Sequence, residues 1–218
     1  MQLYFVRHGE TEWNREYRYY GVCDIPLNEK GKQQARELGE LLKDFSFTTI
    51  YTSPLKRTKQ TADDILDKQT KALPIPIIES TFLQEQNLGI FEGHTYQELQ
   101  ELFPKELEQW NHDFKSNPHG GERFCDLHHR VYRFCSEVLG IRGLSSEEKE
   151  GKHGLYVAKE REQEKILIVS HMAVLRCFFT ILLGMKEDSI WNFTVEQGAY
   201  SRIDIEDGYA IIRKINQR

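Results

Sequence analysis

Residues 2–14 read QLYFVRHGETEWN, and residues 165–183 read KILIVSHMAVLRCFFTILL. Each begins with a short apolar run, the pattern of a buried strand, and each run stops on a histidine, His8 or His171. A core has no use for Arg7, His8 or His171 unless each finds a partner, so both strands deliver polar groups to a site. The second run passes straight into an apolar helical stretch over 172–183. Strands alternating with helices predict a mainly parallel sheet covered on both faces.

The rest of the chain continues this alternation. TIYT at 49–52 reads as another strand. Asn28 is placed to cap a helix running to about Phe45, with Ala35, Leu38, Leu41, Leu42 and Phe45 recurring on one face. SPLKRTKQTADDIL starts another helix, with Ser53 as its cap and Pro54 at the first helical position. Pro74-Ile75-Pro76 opens a run ending near Glu79, an edge strand because proline cannot donate to a ladder. Residues 96–140 are helix-rich and broken at Pro104 and at 117–121. The tail, 199–205 and 209–215 around Asp207-Gly208, reads as a hairpin. The expected fold is a single α/β domain over 1–218: three layers, doubly wound, a mainly parallel sheet with helices on both faces. A helical cap, about 80–125, is inserted after the third strand. Residues 142–165, rich in charge and glycine, are expected to form a flexible excursion.

At 218 residues with net charge −5 and no long basic run, the chain argues against nucleic acid or anionic membrane as its main partner. A small molecule is expected instead. The four cysteines, Cys23, Cys125, Cys135 and Cys177, form no C-x-x-C pair, so they read as reduced residues of a cytoplasmic protein, and zinc is not expected. No leader pattern and no run of eighteen apolar residues appears, so the expected chain is neither secreted nor membrane-spanning. Oligomeric state is not readable.

In a doubly wound sheet, ligands bind at the carboxyl ends of strands where the strand order reverses, so His8 and His171 are placed to face one another. Arg57 falls in the first turn of the helix after YTSP and points toward the same crevice, and Glu85 in FLQEQNLGIFEG opens the cap. Two guanidinium groups, two imidazoles and a carboxyl suit phosphoryl transfer without a metal. Arginine grips phosphate oxygens bidentately and opposes the charge that spreads over them in the transition state. A neutral imidazole can attack phosphorus, and nearby arginines disfavour its protonation, which makes His8 a nucleophile near neutrality. One carboxyl can first protonate the leaving oxygen and then activate water, the role given to Glu85. Other phosphoryl chemistries fail on spacing. A cysteine phosphatase needs C-x-x-x-x-x-R, whereas Arg130 follows Cys125 one residue early and Arg142 follows Cys135 one residue late. A P-loop ending at Gly31-Lys32 would need glycine at position 26, which is Pro26.

These motifs, R-H-G-E-T with Asn14, S-P-L-x-R-T-x-Q-T-A, L-x-E-x-x-x-G-x-x-E-G-x-T and V-S-H, resemble the histidine phosphatase superfamily in its phosphoglycerate mutase-like branch, near the broad-specificity and α-ribazole phosphatases. The resemblance spans nearly the whole chain. It implies that His8 is the phosphorylated histidine, that Arg7, Arg57 and His171 bind phosphate, that Asn14 supports it, and that Glu85 is the proton donor. No metal and no cofactor are implied. Thr11, Asn14, Met172, Tyr20 and Trp13 are the expected substrate-binding residues. Two departures stand out: Ser170-His171-Met172 where relatives commonly have S-H-G, and Gly120-Gly121-Glu122-Arg123 where they often have G-G-E-S. Met172 adds bulk at the phosphate wall, and Arg123 is a candidate cation for the substrate. The aromatic cluster REYRYYG, 15–21, admits two readings. Either it packs as a loop against the cap, or Tyr17, Tyr19, Tyr20 and Trp13 line a leaving-group pocket with Phe91 or Trp110.

The function expected is a metal-independent phosphomonoesterase working through phosphohistidine on a small phosphorylated metabolite. A cofactor-dependent phosphoglycerate mutase is the alternative. It must retain an acidic substrate, yet the cap stretch HTYQELQELFPKELEQWNHDF and its surroundings supply only Lys105 and Lys115. A phospho-ligand binding protein without turnover is the alternative of another class, and intact His8 and Glu85 argue against it.

Overall fold

The computed structural model describes residues 1–70, 74–144 and 154–218. Six strands form one sheet: β1 (Gln2–Arg7), β2 (Thr49–Thr52), β3 (Ile77–Glu79), β4 (Lys165–Ser170), β5 (Tyr200–Glu206) and β6 (Tyr209–Gln217), in the order β3-β2-β4-β1-β5-β6. β3, β2, β4 and β1 run parallel, β5 runs antiparallel to β1, and β6 returns antiparallel to β5. The β5–β6 turn places Asp207 and Gly208 at φ 50° and 86°, and an Asp-Gly pair suits two successive positive φ angles.

The helices are α1 (Glu12–Arg15), α2 (Glu29–Leu42), α3 (Lys56–Leu66), α4 (Tyr96–Leu102), α5 (Pro104–His112), α6 (Phe124–Arg133) and α7 (Met172–Leu182). The two-residue period of the strands divides the core. Leu3, Phe5, Ile166, Ile168, Ile203 and Ile205 face α6 and α7, whereas Tyr4, Val6, Leu167, Val169 and Tyr200 pack with Leu38 and Leu42 of α2 and Ala62 and Ile65 of α3. α7 is buried almost all round, from Val174 to Leu182, which explains why its sequence lacks a polar face.

β1 connects through α2 to one side of the sheet, and β4 connects through α7 to the other. The crevice between their carboxyl ends is therefore the switch point of the sheet. Between β3 and α6 the chain forms a cap containing α4 and α5. It has its own apolar cluster of Phe91, Leu99 and Leu107, bordered by Tyr19, Leu88, Ile90, Phe103 and Trp110.

Two helix boundaries differ from expectation. α2 is capped by Asn28, whose side chain accepts from Gly31 N at 2.8 Å, but it ends at Leu42 rather than Phe45. α3 starts at Lys56, not at Pro54, and Ser53 does not cap it: the chain bends at Pro54 and Leu55, Leu55 stands in an extended conformation before the helix, and Ser53 Oγ accepts from Leu55 N. Of the expected excursion, residues 145–153 lie outside the described residues. On its far flank Leu155 and Val157 are buried in the core, Leu155 N donates to Gly208 O at 2.8 Å, and Arg142 N donates to Tyr156 O.

Candidate active site

β1 and β4 pair in parallel register, with Arg7 opposite Ser170, and His8 N donates to Ser170 O at 3.0 Å. The register alone sets His8 and His171 side by side, with ring centres 5.1 Å apart. Both are buried. Gly9 just beyond is pinned through its N–H to Thr61 Oγ1 at 3.2 Å, which ties the end of β1 to α3.

The protonation of each imidazole follows from its neighbours. His8 Nδ1 lies 2.7 Å from Gly9 O, which can only accept, so Nδ1 carries the proton and Nε2 keeps its lone pair. His171 Nδ1 accepts from Arg57 Nε at 3.3 Å, so its proton sits on Nε2 and is donated to Ser53 Oγ at 3.0 Å. Burial, reinforced by the Arg57 and Arg7 cations, holds His8 well below the ordinary histidine pKa. Burial and Arg57 do the same for His171.

Arg57 is fully buried at 0% exposure, and its fork is filled: Nη1 donates to Cys23 O at 2.7 Å, Nη2 to Gly21 O at 2.6 Å, and the guanidinium lies 4.7 Å from the centre of the Tyr20 ring. Arg7 donates through Nη1 to Val195 O at 3.0 Å and approaches Met172 Sδ at 3.7 Å. Its Nε is buried and has no partner among the described residues. No carboxylate is in ion-pair contact with Arg7 or Arg57 among the described residues, which leaves a partly enclosed region of positive charge suited to an anion.

Glu85 leaves the turn at Thr81–Leu83 and brings its carboxylate to the N-terminus of α7, where Oε2 accepts from Ala173 N at 3.3 Å and Oε1 from Gln86 N at 3.1 Å. Ala173 is two residues past His171, so the carboxyl stands at the edge of the same crevice. Glu10 and Glu92, the other acids in the motifs, are engaged elsewhere. Glu10 binds Lys30 and Asn28. Glu92 accepts from Val22, Cys23 and Leu88 N–H groups; burial would raise its pKa, but the hydrogen bonds, with Cys23 foremost, prevail and lower it.

The structure also gathers Thr11, Asn14, Trp13 and Tyr20. Thr11 caps α1 and shares a capping box with Asn14. Asn14 Oδ1 accepts from Thr11 N and Oγ1, from Tyr20 OH at 2.9 Å and from Gln197 Nε2 at 2.8 Å, so the amide nitrogen is turned away from them. Trp13 meets Tyr20 edge to face at 5.8 Å, and Tyr20 lies 6.5 Å from the His8 ring. The other aromatics do not line this crevice. Tyr17 points to solvent at 85% exposure, Tyr19 packs on Phe91 inside the cap, and Phe91 is fully buried with Trp110 against it. Arg123 likewise faces away, paired bidentately with Asp126 on the surface of α6.

Several residues escaped the sequence reading. Gln197 is brought beside Arg7 by an isolated parallel bridge, and Ser53 sits under His171. Glu122 and Arg130 flank Glu85. Gln197 carries no local signal, since only the placement of β5 next to β1 brings it in. Glu122 stood in a recognisable motif but without a role.

Residues 3–218 match the model of the histidine phosphatase superfamily, branch 1, and the chain belongs to that family. It is 30% identical over 217 residues to phosphoserine phosphatase 1 of Hydrogenobacter thermophilus, covering 99% of this chain and 92% of that protein. It is 33% identical over 220 residues to the adenosylcobalamin/alpha-ribazole phosphatase of Escherichia coli, covering 100% and 97%. Among solved structures, the alpha-ribazole phosphatase from Shigella flexneri superposes with a TM-score of 0.84 at 31% identity, over 100% of this chain and 96% of that one.

Proposed function

We propose that this chain hydrolyses small phosphomonoesters through a phosphohistidine formed on His8. The observation that carries the reading is His8 with Nδ1 committed to Gly9 O, which leaves the Nε2 lone pair free, held beside His171 with the fully buried Arg57 and the partly buried Arg7, neither of which has a carboxylate partner among the described residues. The phosphatase names of its relatives, which differ in the substrate they print, support hydrolysis of a phosphomonoester.

A phosphate entering the crevice meets Arg7 and Arg57, whose cations oppose the charge on the equatorial oxygens, with Asn14 and His171 at its flanks. His8 Nε2 attacks phosphorus as the bond to the leaving oxygen breaks, and Glu85 gives that oxygen its proton. Glu85, now a carboxylate, takes a proton from water as the water attacks phosphorus. The N–P bond breaks, and phosphate leaves with His8 neutral again. The phosphoryl group replaces the missing counter-charge among the arginines, so stabilisation is greatest while phosphorus is in transfer.

Hydrolysis is favoured over transfer back to an acidic substrate. Lys115, one of the two cap lysines available for such a substrate, is held by Asp188 at 2.7 Å and by Glu187. The test is turnover of p-nitrophenyl phosphate in EDTA combined with acid and alkali stability of the trapped phosphoenzyme. Undiminished turnover and an acid-labile, alkali-stable phosphoramidate are expected. Activity lost in EDTA and restored by a divalent ion, or an alkali-labile label, would overturn the mechanism.

A further inference from the structure

The Glu85 side chain is lightly held: its two hydrogen bonds, to Gln86 N and Ala173 N, are 3.1 and 3.3 Å long. Its position therefore depends on its backbone. That backbone is not supported by packing on one side, where a cavity of about 440 Å³ is lined by Gln84, Glu85, Asn87, Glu122 and Arg130, among others. On that side a guanidinium bonds to it directly. Arg130, reaching from α6, donates through Nη1 to Phe82 O at 2.7 Å and through Nη2 to Glu85 O at 3.2 Å.

Arg130 is itself oriented by Glu122, which it grips bidentately at 2.7 and 3.0 Å, with the two side chains only 18% and 20% exposed. Glu122 adds three ties to the same segment. Its N–H donates to Asn87 O at 2.8 Å, its carbonyl accepts from Gln86 Nε2 at 3.0 Å, and Oε2 accepts from Asn87 N at 3.4 Å. The entry and exit of the cap are thus joined at Gln86 and Asn87, just after the residue that bears the carboxyl, and Arg130 fastens the junction to α6.

We propose that Arg130 is a positioning residue for Glu85, fixing the carboxyl at the mouth of the crevice, with Glu122 setting the fork of Arg130. The inference rests on Glu85 being the proton donor. Proton transfer tolerates little displacement, because donor and acceptor must come within hydrogen-bond reach. A merely structural arginine would weaken all substrates alike; a positioning one penalises substrates whose leaving oxygen needs the proton.

The experiment compares kcat/KM, which covers the steps through transfer to His8, for an alkyl phosphate and for p-nitrophenyl phosphate in Arg130→Met, Glu85→Gln and the double variant. Arg130→Met should cost the alkyl phosphate about 10²-fold and p-nitrophenyl phosphate less than about threefold. Added to Glu85→Gln it should cost nothing more, since a misplaced amide is no worse than a placed one. Should Arg130→Met not fold, Glu122→Gln/Arg130→Met removes both charges of the pair together and carries the same expectation. Equal losses on both substrates, or losses that multiply with those of Glu85→Gln, overturn the proposal while leaving the proton donor in place. If Glu85→Gln itself shows no leaving-group dependence, the assignment of the donor falls and this inference with it.

Discussion

His8 keeps a lone pair on Nε2 because its proton is already committed. Gly9 O fixes the proton on Nδ1, and burial with Arg57 and Arg7 keeps the ring from taking a second one. In histidine-labelled protein without ligand, the ring resonances of His8 and His171 should therefore stay in their neutral positions as pH falls through 6.5, the ordinary midpoint. A midpoint near 6.5 for either ring would contradict the burial and charge described for the site. Glu85→Gln keeps the side-chain shape but can neither give nor take the proton. Its loss should reach about 10²- to 10⁴-fold for alkyl phosphates and be much smaller in kcat/KM for p-nitrophenyl phosphate, whose phenolate leaves unaided. The phosphoenzyme should then accumulate, because its hydrolysis still calls for a base, and rapid quenching of labelled enzyme would measure it.

Among the elements, the loop after α1 is the tightest part of the site. A Cβ on Gly21 would lie 1.6 Å from Gln86 O, while Gly21 O holds Arg57 Nη2. Gly21→Ala must therefore push the loop away from the segment bearing Glu85 and loosen the arginine together. The strain expected of such overpacking is about 1–3 kcal/mol, and kcat/KM should fall about tenfold or more with the secondary structure retained by circular dichroism. Unchanged kinetics would mean that the loop does not restrain Arg57. What sequence reveals and hides follows from the same geometry. The strands and the helices behind them were legible because period and capping are local, and the motif positions then placed His8, Arg57, His171 and Glu85 at strand ends and loop mouths. The start of α3 was misjudged because Ser53 Oγ answers to His171, a partner 118 residues away. The aromatic loop was ambiguous for the same reason: only the cap cluster decides that Tyr19 and Phe91 face inward.

For the whole molecule, keeping two imidazoles neutral affects stability. Both have pKa values lowered on folding, so between the folded value and about 6.5 the unfolded chain binds more protons. Their contribution is fully present above pH 6.5 and is lost as pH falls toward the folded values, with a slope of up to about 1.4 kcal/mol per pH unit for each ring. Denaturant unfolding at pH 7.5, 6.5 and 5.5 should show this decline, and His171→Asn should flatten it. An equal slope in the variant would remove His171 from the groups that set the pH dependence.

The cap keeps its apolar cluster of Phe91, Leu99 and Leu107 apart from the two clusters that clasp the sheet. Its interior can accordingly be rewritten without disturbing the register that sets His8 beside His171, as long as the seam at Glu122 survives.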